Sequence, residues 1–308
     1  MGIAVLESEF FHGKSQRSEI QRTGPTQQSR RKVKIMNGKL FRQKLHSGER
    51  LYGTMIVSDS PKWIPTVSGL GLDFVFIDTE HIANDRKQVA WMCQAYAALG
   101  ITPVVRINRP DPYTACMTLD GGAQGIIAPY VESPEEVSAL VGAVKFRPLK
   151  GKRLHDMLEG KLTLEPALSD YLANYNANNS LIVNIESIPA LEALDEILAV
   201  PGLDAVLVGP HDLTTSLGIS EQYHHRAYIE AVDEIIRKSR AHNVGVGNHV
   251  MVKDGAAQEI RWAKLGMNLI IHWSDTNAFR YGMEDSLAEI KRGIGDLPEK
   301  TSSSGLDV

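Results

Sequence analysis

Short apolar runs rich in Val and Ile recur at residues 51–57, 73–77, 103–107, 125–130, 181–185, 205–208, 244–247 and 268–271. Each run is nearly continuous rather than alternating, the pattern of a parallel strand buried on both faces. Each is followed by a stretch with helical spacing of apolar positions, clearest at 86–99, 134–145, 189–200, 223–241 and 254–265. Pro134 and Pro189 stand where a helix would begin, with Ser133 and Ser187 ahead of them as caps. A strand-then-helix unit repeated eight times over about 260 residues predicts an α/β fold, a (β/α)8 TIM barrel. The alternative is a doubly wound open sheet, which usually has fewer strands and a glycine-rich nucleotide turn. No Gly-x-x-x-x-Gly-Lys-[Ser/Thr] or Gly-x-Gly-x-x-Gly occurs, and Gly69-Leu-Gly71 and Gly245-Val-Gly247 are isolated pairs. Residues 147–180 form a longer connection carrying Lys150, Lys152, Arg153 and His155. It reads equally as a lid over the barrel or as a structural excursion.

Composition adds boundaries to this pattern. The 308 residues are 43% hydrophobic and 23% charged, ordinary for one globular domain with tails. Residues 1–36 are polar, carry seven Lys or Arg against three Glu, and end in Ser29-Arg-Arg-Lys-Val-Lys34. They read as a disordered tail, or as chain upstream of a start at Met36; Glu7, Glu9 and Glu19 weaken a mitochondrial presequence. The barrel domain is expected over 37–295 and a second tail over 296–308. A net charge of −4 argues against nucleic acid as a partner. No apolar run approaches the roughly 20 residues of a membrane span, and no apolar signal core follows the N-terminus. Cys93 and Cys116 lie in unrelated segments, which excludes a disulfide framework and a CxxC metal site. Both fall in predicted helices, so a thiol nucleophile is not expected, and the expected location is cytoplasmic.

In such a barrel the chemistry stands at the C-terminal ends of the strands. Those ends read Asp78-Thr-Glu80-His81, Arg106-Ile-Asn108, Pro129-Tyr130, Asn184-Ile-Glu186, Gly209-Pro-His211-Asp212, Asn248-His249 and His272-Trp-Ser274-Asp275. Charged groups in apolar strands cost several kcal/mol unless paired or metal-bound. Glu186 and Asp212, on adjacent strands, suit a divalent cation such as Mg²⁺ or Mn²⁺ that keeps water and a chelating substrate; the competing reading is a pair of ion-paired or helix-capping acids. His81, with acids close in sequence, is the candidate general base. Arg106 is the candidate for stabilising a developing oxyanion or clamping a carboxylate, against a buried salt bridge to one of the acids. His249 and His272 line the mouth or serve structure, and His224-His225 is read as a surface loop. No strand end carries Lys, and Lys253 lies beyond its strand, which disfavours Schiff-base chemistry.

At these residues the sequence resembles the HpcH/HpaI aldolase/citrate lyase superfamily of metal-dependent pyruvate aldolases, which includes macrophomate synthase. The matching stretches are Phe76-Ile-Asp-Thr-Glu-His81, Pro103-Val-Val-Arg106, Leu119-Asp-Gly-Gly-Ala123, Val183-Asn-Ile-Glu186 and Gly209-Pro-His-Asp-Leu213, within about residues 37–293. The resemblance implies cleavage of a 4-hydroxy-2-oxo acid to pyruvate and an aldehyde, through a pyruvate enolate stabilised by Mg²⁺, Mn²⁺ or Co²⁺. It makes His81 the base, Arg106 the enolate-stabilising group, and Asp120 an acid that raises the basicity of the His, with Asp78 in the same catalytic set. Glu186 and Asp212 become the metal ligands. Asn184 becomes a substrate contact, and His211 and Asp212 become the pair whose backbone amides hold the substrate carboxylate. A homohexamer with exchanged C-terminal helices is implied, with 276–292 as the candidate helix. Asn184 is shorter than the family's Gln, His211 replaces a small residue, and Pro148-Leu-Lys-Gly-Lys-Arg-Leu-His155 replaces an Arg/Ala-rich run. These departures point to a divergent branch. The alternatives are oxaloacetate decarboxylation or other enolate carbon–carbon chemistry, citrate-lyase-like chemistry on a CoA thioester, and a barrel that binds a 2-oxo acid without turnover.

Overall fold

Strands that are apolar on both faces need cover on both sides, and a closed barrel ringed by helices supplies it. The structure is a computed structural model that describes residues 35–297. The expected tails therefore lie outside the described residues, apart from Ile35, Met36, Asp296 and Leu297. Eight parallel strands close in sequence order: β1 (Leu51–Ile56), β2 (Phe74–Asp78), β3 (Thr102–Arg106), β4 (Gly125–Ala128), β5 (Ser180–Ile185), β6 (Ala205–Val208), β7 (Gly245–Val250) and β8 (Leu269–Ser274). β8 returns to pair with β1, which excludes the open sheet.

Alternate strand positions face inward. Leu51, Met55, Phe74, Phe76, Val104, Ile127, Ile182, Ala205, Leu207, Leu269 and Ile271 form the inner core. Their neighbours, among them Val75, Ile77, Val105, Ile126, Val183 and Val206, form the outer core against the helices. Gly53 makes room for the large inner rings, since a Cβ there would lie 2.5 Å from the Phe74 ring. Among the helices, Pro134–Lys145 begins with the expected Ser133, in a capping box with Glu136. The single helix expected over 189–200 is two, Ile188–Glu192 and Leu194–Leu198, which meet at Ala193. Residues 147–180 form helices Gly151–Leu158 and Pro166–Tyr175. Leu154 and Leu158 of the first come close to Gly142, and no residue of 147–180 lines the cavity at the C-terminal ends of the strands.

The helix Gly38–Ser47 plugs the base of the barrel with Phe41 and Leu45. Met36, read as tail, is buried with them and donates to the Gly100 carbonyl at 3.0 Å. A buried polar cluster ties the plug down. Asp204 accepts from Leu181 N at 2.7 Å, from His46 Nε2 at 2.9 Å and from Lys145 Nζ. Lys145 also donates to the Asn179 carbonyl at 2.7 Å. The other ring nitrogen of His46 faces the Asn243 carbonyl at 2.9 Å. Two acceptors flank the imidazole, so the fold favours the imidazolium, and the hydrogen bond to Asp204 raises the His46 pKa above its usual 6.5.

A group whose pKa rises on folding stabilises the protein fully below its unfolded value and loses that effect as pH climbs through the folded value. The stability difference between the wild type and His46→Ala is thus expected to be wider at about pH 5.5 than at about pH 8.5. Urea unfolding at the two pH values measures it.

Candidate active site

The two-residue period of a strand carries the inner core upward into the mouth. Above Phe74 and Phe76 the next inward residue is Asp78; above Val104 it is Arg106; above Ile182 come Asn184 and then Glu186. Above Gly245 and Gly247 it is His249. Polar groups thus stand where the apolar core ends. All but Glu186 line a cavity of about 280 Å³, whose wall includes Met55, Phe76, Asp78, His81, Arg106, Asn184, Leu207, His211, Asp212, Tyr228 and His249.

Asp78 and Arg106 form its frame. Asp78 is fully buried. Its Oδ1 accepts from Arg106 Nε at 2.8 Å and from Glu80 N at 3.0 Å. Its Oδ2 accepts from Arg106 Nη2 at 2.8 Å and from His81 N at 3.3 Å. Burial alone would raise the Asp78 pKa, but the Arg106 hydrogen bonds and charge prevail and hold it below the usual carboxylate range. Both oxygens are thereby committed. Asp78, expected among the catalytic groups, bonds through both oxygens to Arg106 and to the turn carrying His81.

The same turn brings in a residue the sequence reading passed over. Glu80 Oε2 lies 3.1 Å from Arg106 Nη1 and 3.7 Å from His81 Nε2. Burial raises the Glu80 pKa, opposed by Arg106 and reinforced by Asp78 and Asp212. The signal was the Asp-x-Glu-His spacing after β2, which does not say which acid faces the guanidinium. The His81 side chain is more than half exposed at the mouth, open to a substrate.

Behind the wall on the other side, Glu186 is buried and receives only N–H donors. Tyr130 N donates to Oε1 at 2.8 Å, and Asn184 Nδ2 to Oε2 at 2.9 Å. Tyr130 turns its amide that way from a left-handed conformation, φ 52°. Gly209 sits against the same carboxylate, and a Cβ there would lie 2.1 Å from Glu186 Oε2. Burial pushes the Glu186 pKa up, the Tyr130 amide opposes this, and the charges of Asp212 and Glu80 add to the rise. Asp212 stands in the first turn of the helix Pro210–Ser216. The first intrahelical bond there is Leu213 N to the Gly209 carbonyl, so the His211 and Asp212 amides have no partner within the helix.

Other expected residues go elsewhere. Asp120 ends the helix Pro112–Asp120, pairs with Arg147 Nη1 at 3.2 Å and lines a separate cleft with Thr79 and Asn108. The chain does not bring it to His81, because that helix lies outside the barrel wall. His272 pairs with Glu259 at 2.6 Å and does not line the cavity, whereas His249 does. Lys253 pairs with Asp285 at 2.5 Å, and His225 caps a helix.

The donors at Glu186 and Asp212 are carboxylate oxygens. Beside them the Asn184 Oδ1 is buried with no hydrogen-bond partner. Arg106 is the one Lys or Arg among the described residues lining the cavity. A hard divalent cation fits this set. Among the described residues no three His, Cys, Asp or Glu side chains converge to hold an ion alone. Two protein oxygens would therefore leave the remaining positions to water and substrate.

Comparison with known proteins bears on the same residues. A model of the HpcH/HpaI aldolase/citrate lyase family matches residues 52–271. A 2-keto-3-deoxy-L-rhamnonate aldolase of Escherichia coli (strain K12) is 30% identical over 253 residues, 82% of this chain and 93% of that protein. The solved structure of an HpcH/HpaI aldolase from Desulfitobacterium hafniense DCB-2 matches with a TM-score of 0.70 at 26% identity, covering 84% of this chain and 98% of that one. A solved citrate synthase matches with a TM-score of 0.69 at 30% identity, covering 83% and 98%.

Arg106→Ala would leave the Asp78 carboxylate buried and uncompensated. It is expected to lower the unfolding free energy by about 3–5 kcal/mol near neutral pH. Asp78 has a depressed folded pKa, so its stabilising share is lost as pH falls through that value. The cost of Arg106→Ala should therefore shrink in acid. Urea unfolding at about pH 7 and, below the usual carboxylate range, at about pH 2.5 checks both statements.

Proposed function

The chain belongs to the HpcH/HpaI aldolase/citrate lyase family and is a carbon–carbon lyase of it, and from that premise we propose that it cleaves a 4-hydroxy-2-oxo acid to pyruvate and an aldehyde. The observation that carries the reading is the division of the mouth. One side carries Asn184, Gly209 and Asp212 in the cavity wall, with the buried Glu186 directly behind Asn184 and Gly209; the other presents Arg106, locked by Asp78, with His81 beside it. Glu186 and Asp212 are the residues that would hold a divalent cation. When bound, it would supply Lewis acidity toward the carboxylate and keto oxygens of the 2-oxo acid.

The chain's own groups do the rest. The His211 and Asp212 amides, at a helix start, receive the substrate carboxylate. Asn184 contacts the oxo-acid end. His81 Nε2 takes the proton of the 4-hydroxyl, directly or through water. The C3–C4 bond breaks, its electron pair forms the C2–C3 double bond, and the C4 oxygen closes to the aldehyde carbonyl. The negative charge arriving on the C2 oxygen lies toward Arg106, whose position is set beforehand by Asp78 and Glu80, so no reorganisation is needed at that moment. Protonation at C3 releases pyruvate, and condensation runs the same steps in reverse. Two free cysteines, Cys93 and Cys116, support a cytoplasmic location.

A second reading keeps the enolate and changes what it meets. The 30% identity to a citrate synthase supports bond formation to oxaloacetate, or its decarboxylation.

The helix Asp275–Gly293 supports an oligomer. It exposes Phe279, Met283, Leu287 and Ile290, with Ile294 beyond, at helical spacing along one face. We assign this row to exchange between subunits of a hexamer.

Pyruvate release, coupled to lactate dehydrogenase, tests the main reading on a panel of 4-hydroxy-2-oxo acids and oxaloacetate. Release is expected with Mg²⁺, Mn²⁺ or Co²⁺, is abolished by EDTA, and falls at least about 100-fold in Glu186→Gln. Arg106→Lys is expected to cost kcat roughly 10²–10³-fold. Turnover of oxaloacetate alone moves the assignment to the second reading, and turnover of nothing overturns both. For the assembly, Met283→Glu with Leu287→Glu is expected to give a lower mass by light scattering than the wild type.

A further inference from the structure

His249 is the one inward residue of the mouth that the proposed reaction leaves without a task. It follows Gly245 and Gly247 on the inner face of β7 and lines the cavity with Asp78, Arg106 and Asn184. Its ring meets Phe76 edge-on, 5.4 Å between centroids, and the Arg106 guanidinium lies 5.3 Å over that same Phe76 ring. The imidazole therefore stands one ring away from the group that receives the enolate charge.

The geometry assigns its proton. His249 Nε2 faces the Trp273 carbonyl at 3.3 Å, an acceptor that also receives Thr54 Oγ1 at 3.3 Å. Trp273 turns that carbonyl inward from a left-handed conformation, φ 52°. A carbonyl accepts only, so Nε2 carries the hydrogen and Nδ1 keeps a free lone pair. Nδ1 has no hydrogen-bond partner among the described residues. Burial depresses the His249 pKa to about 4, the Trp273 carbonyl opposing and Arg106 adding to the drop. Burial and the single carbonyl partner thus favour the neutral ring. It offers one acceptor beside the Phe76 ring, in a lining that also includes Met55, Leu207 and Val250. A neutral acceptor rewards an O–H donor, gains nothing from a methyl group, and repels a carboxylate.

We propose that His249 is a specificity-determining residue, whose Nδ1 accepts a hydrogen bond from a hydroxyl on the aldehyde half of the substrate. The substrate class is thereby a short 2-oxo acid whose aldehyde product is hydroxylated rather than acidic or purely alkyl. The inference rests on the lyase reading above and narrows it.

The test is condensation of pyruvate with glycolaldehyde against acetaldehyde, which differ by one hydroxyl, in wild type, His249→Leu and His249→Gln. Exchange of the pyruvate C3 protons in D2O serves as the aldehyde-free control. Wild type is expected to favour glycolaldehyde in kcat/KM by about tenfold, the worth of one hydrogen bond in a closed site. His249→Leu should lose that preference, glycolaldehyde kcat/KM falling about tenfold further than that of acetaldehyde, while C3 exchange persists. His249→Gln, which again offers an acceptor, should restore part of it. C3 exchange that persists while both aldehydes fall together, or while the preference survives His249→Leu, overturns the role of His249 alone. Absence of C3 exchange in the wild type overturns the lyase reading and the role of His249 with it.

Discussion

The mouth of this barrel hangs on one buried ion pair. A carboxylate with no solvent contact would ordinarily take up a proton, and an arginine among apolar rings would ordinarily be expelled. Asp78 and Arg106 satisfy each other through two hydrogen bonds of 2.8 Å, the planar match that arginine makes best. The oxygens of Asp78 then accept the amides of Glu80 and His81. One contact therefore sets the guanidinium, the turn after β2, the second acid and the exposed imidazole. Breaking such a pair costs far more than its net worth, because the remaining charge has nowhere to go.

The two walls of the mouth divide their labour by charge. Glu186 is held by neutral N–H groups from Tyr130 and Asn184 rather than by a cation. Its negative charge, with that of Asp212, stays uncancelled and available to an ion. Arg106 is cancelled twice over, by Asp78 and Glu80, so it does not draw Glu186 across the cavity. It still presents a donor surface, because a guanidinium has five N–H bonds and the two acids do not exhaust them. The neutral His249 beyond Phe76 adds recognition without disturbing this balance.

Much of the fold could be read from the residues, because strands buried on both faces leave unbroken apolar runs. The reading faltered where inward positions turn polar. β7 continues to Val250 and β8 to Ser274, beyond the last apolar residue of each run, since Asn248, His249 and His272 interrupt the pattern but not the ladder. Asp78, Arg106, Asn184 and Glu186 stood out as polar residues closing apolar strands. Tyr130 and Gly209 did not, because one acts through a backbone amide and the other through the absence of a side chain. Asp120 came from family likeness alone, and within this chain it pairs with Arg147. A residue's period reveals which way it points, not which of two neighbouring acids an arginine will choose.

The basal plug has a consequence for how the chain is made. Phe41 and Leu45 belong to the first helix of the domain, yet what holds that helix is synthesised late. His46 bonds to Asn243 and Asp204, and the carbonyls of Lys44 and Leu45 are met by Asn268, with Arg240 also on Leu45. β1 likewise waits for β8. On the ribosome, the carbonyls of Lys44 and Leu45 stay without Asn268 until more than two hundred further residues have emerged. Closure is then a single late event joining the first and last parts of the domain. A chain arrested before β8 would be an open, adhesive sheet with its plug unseated, a natural target for chaperones.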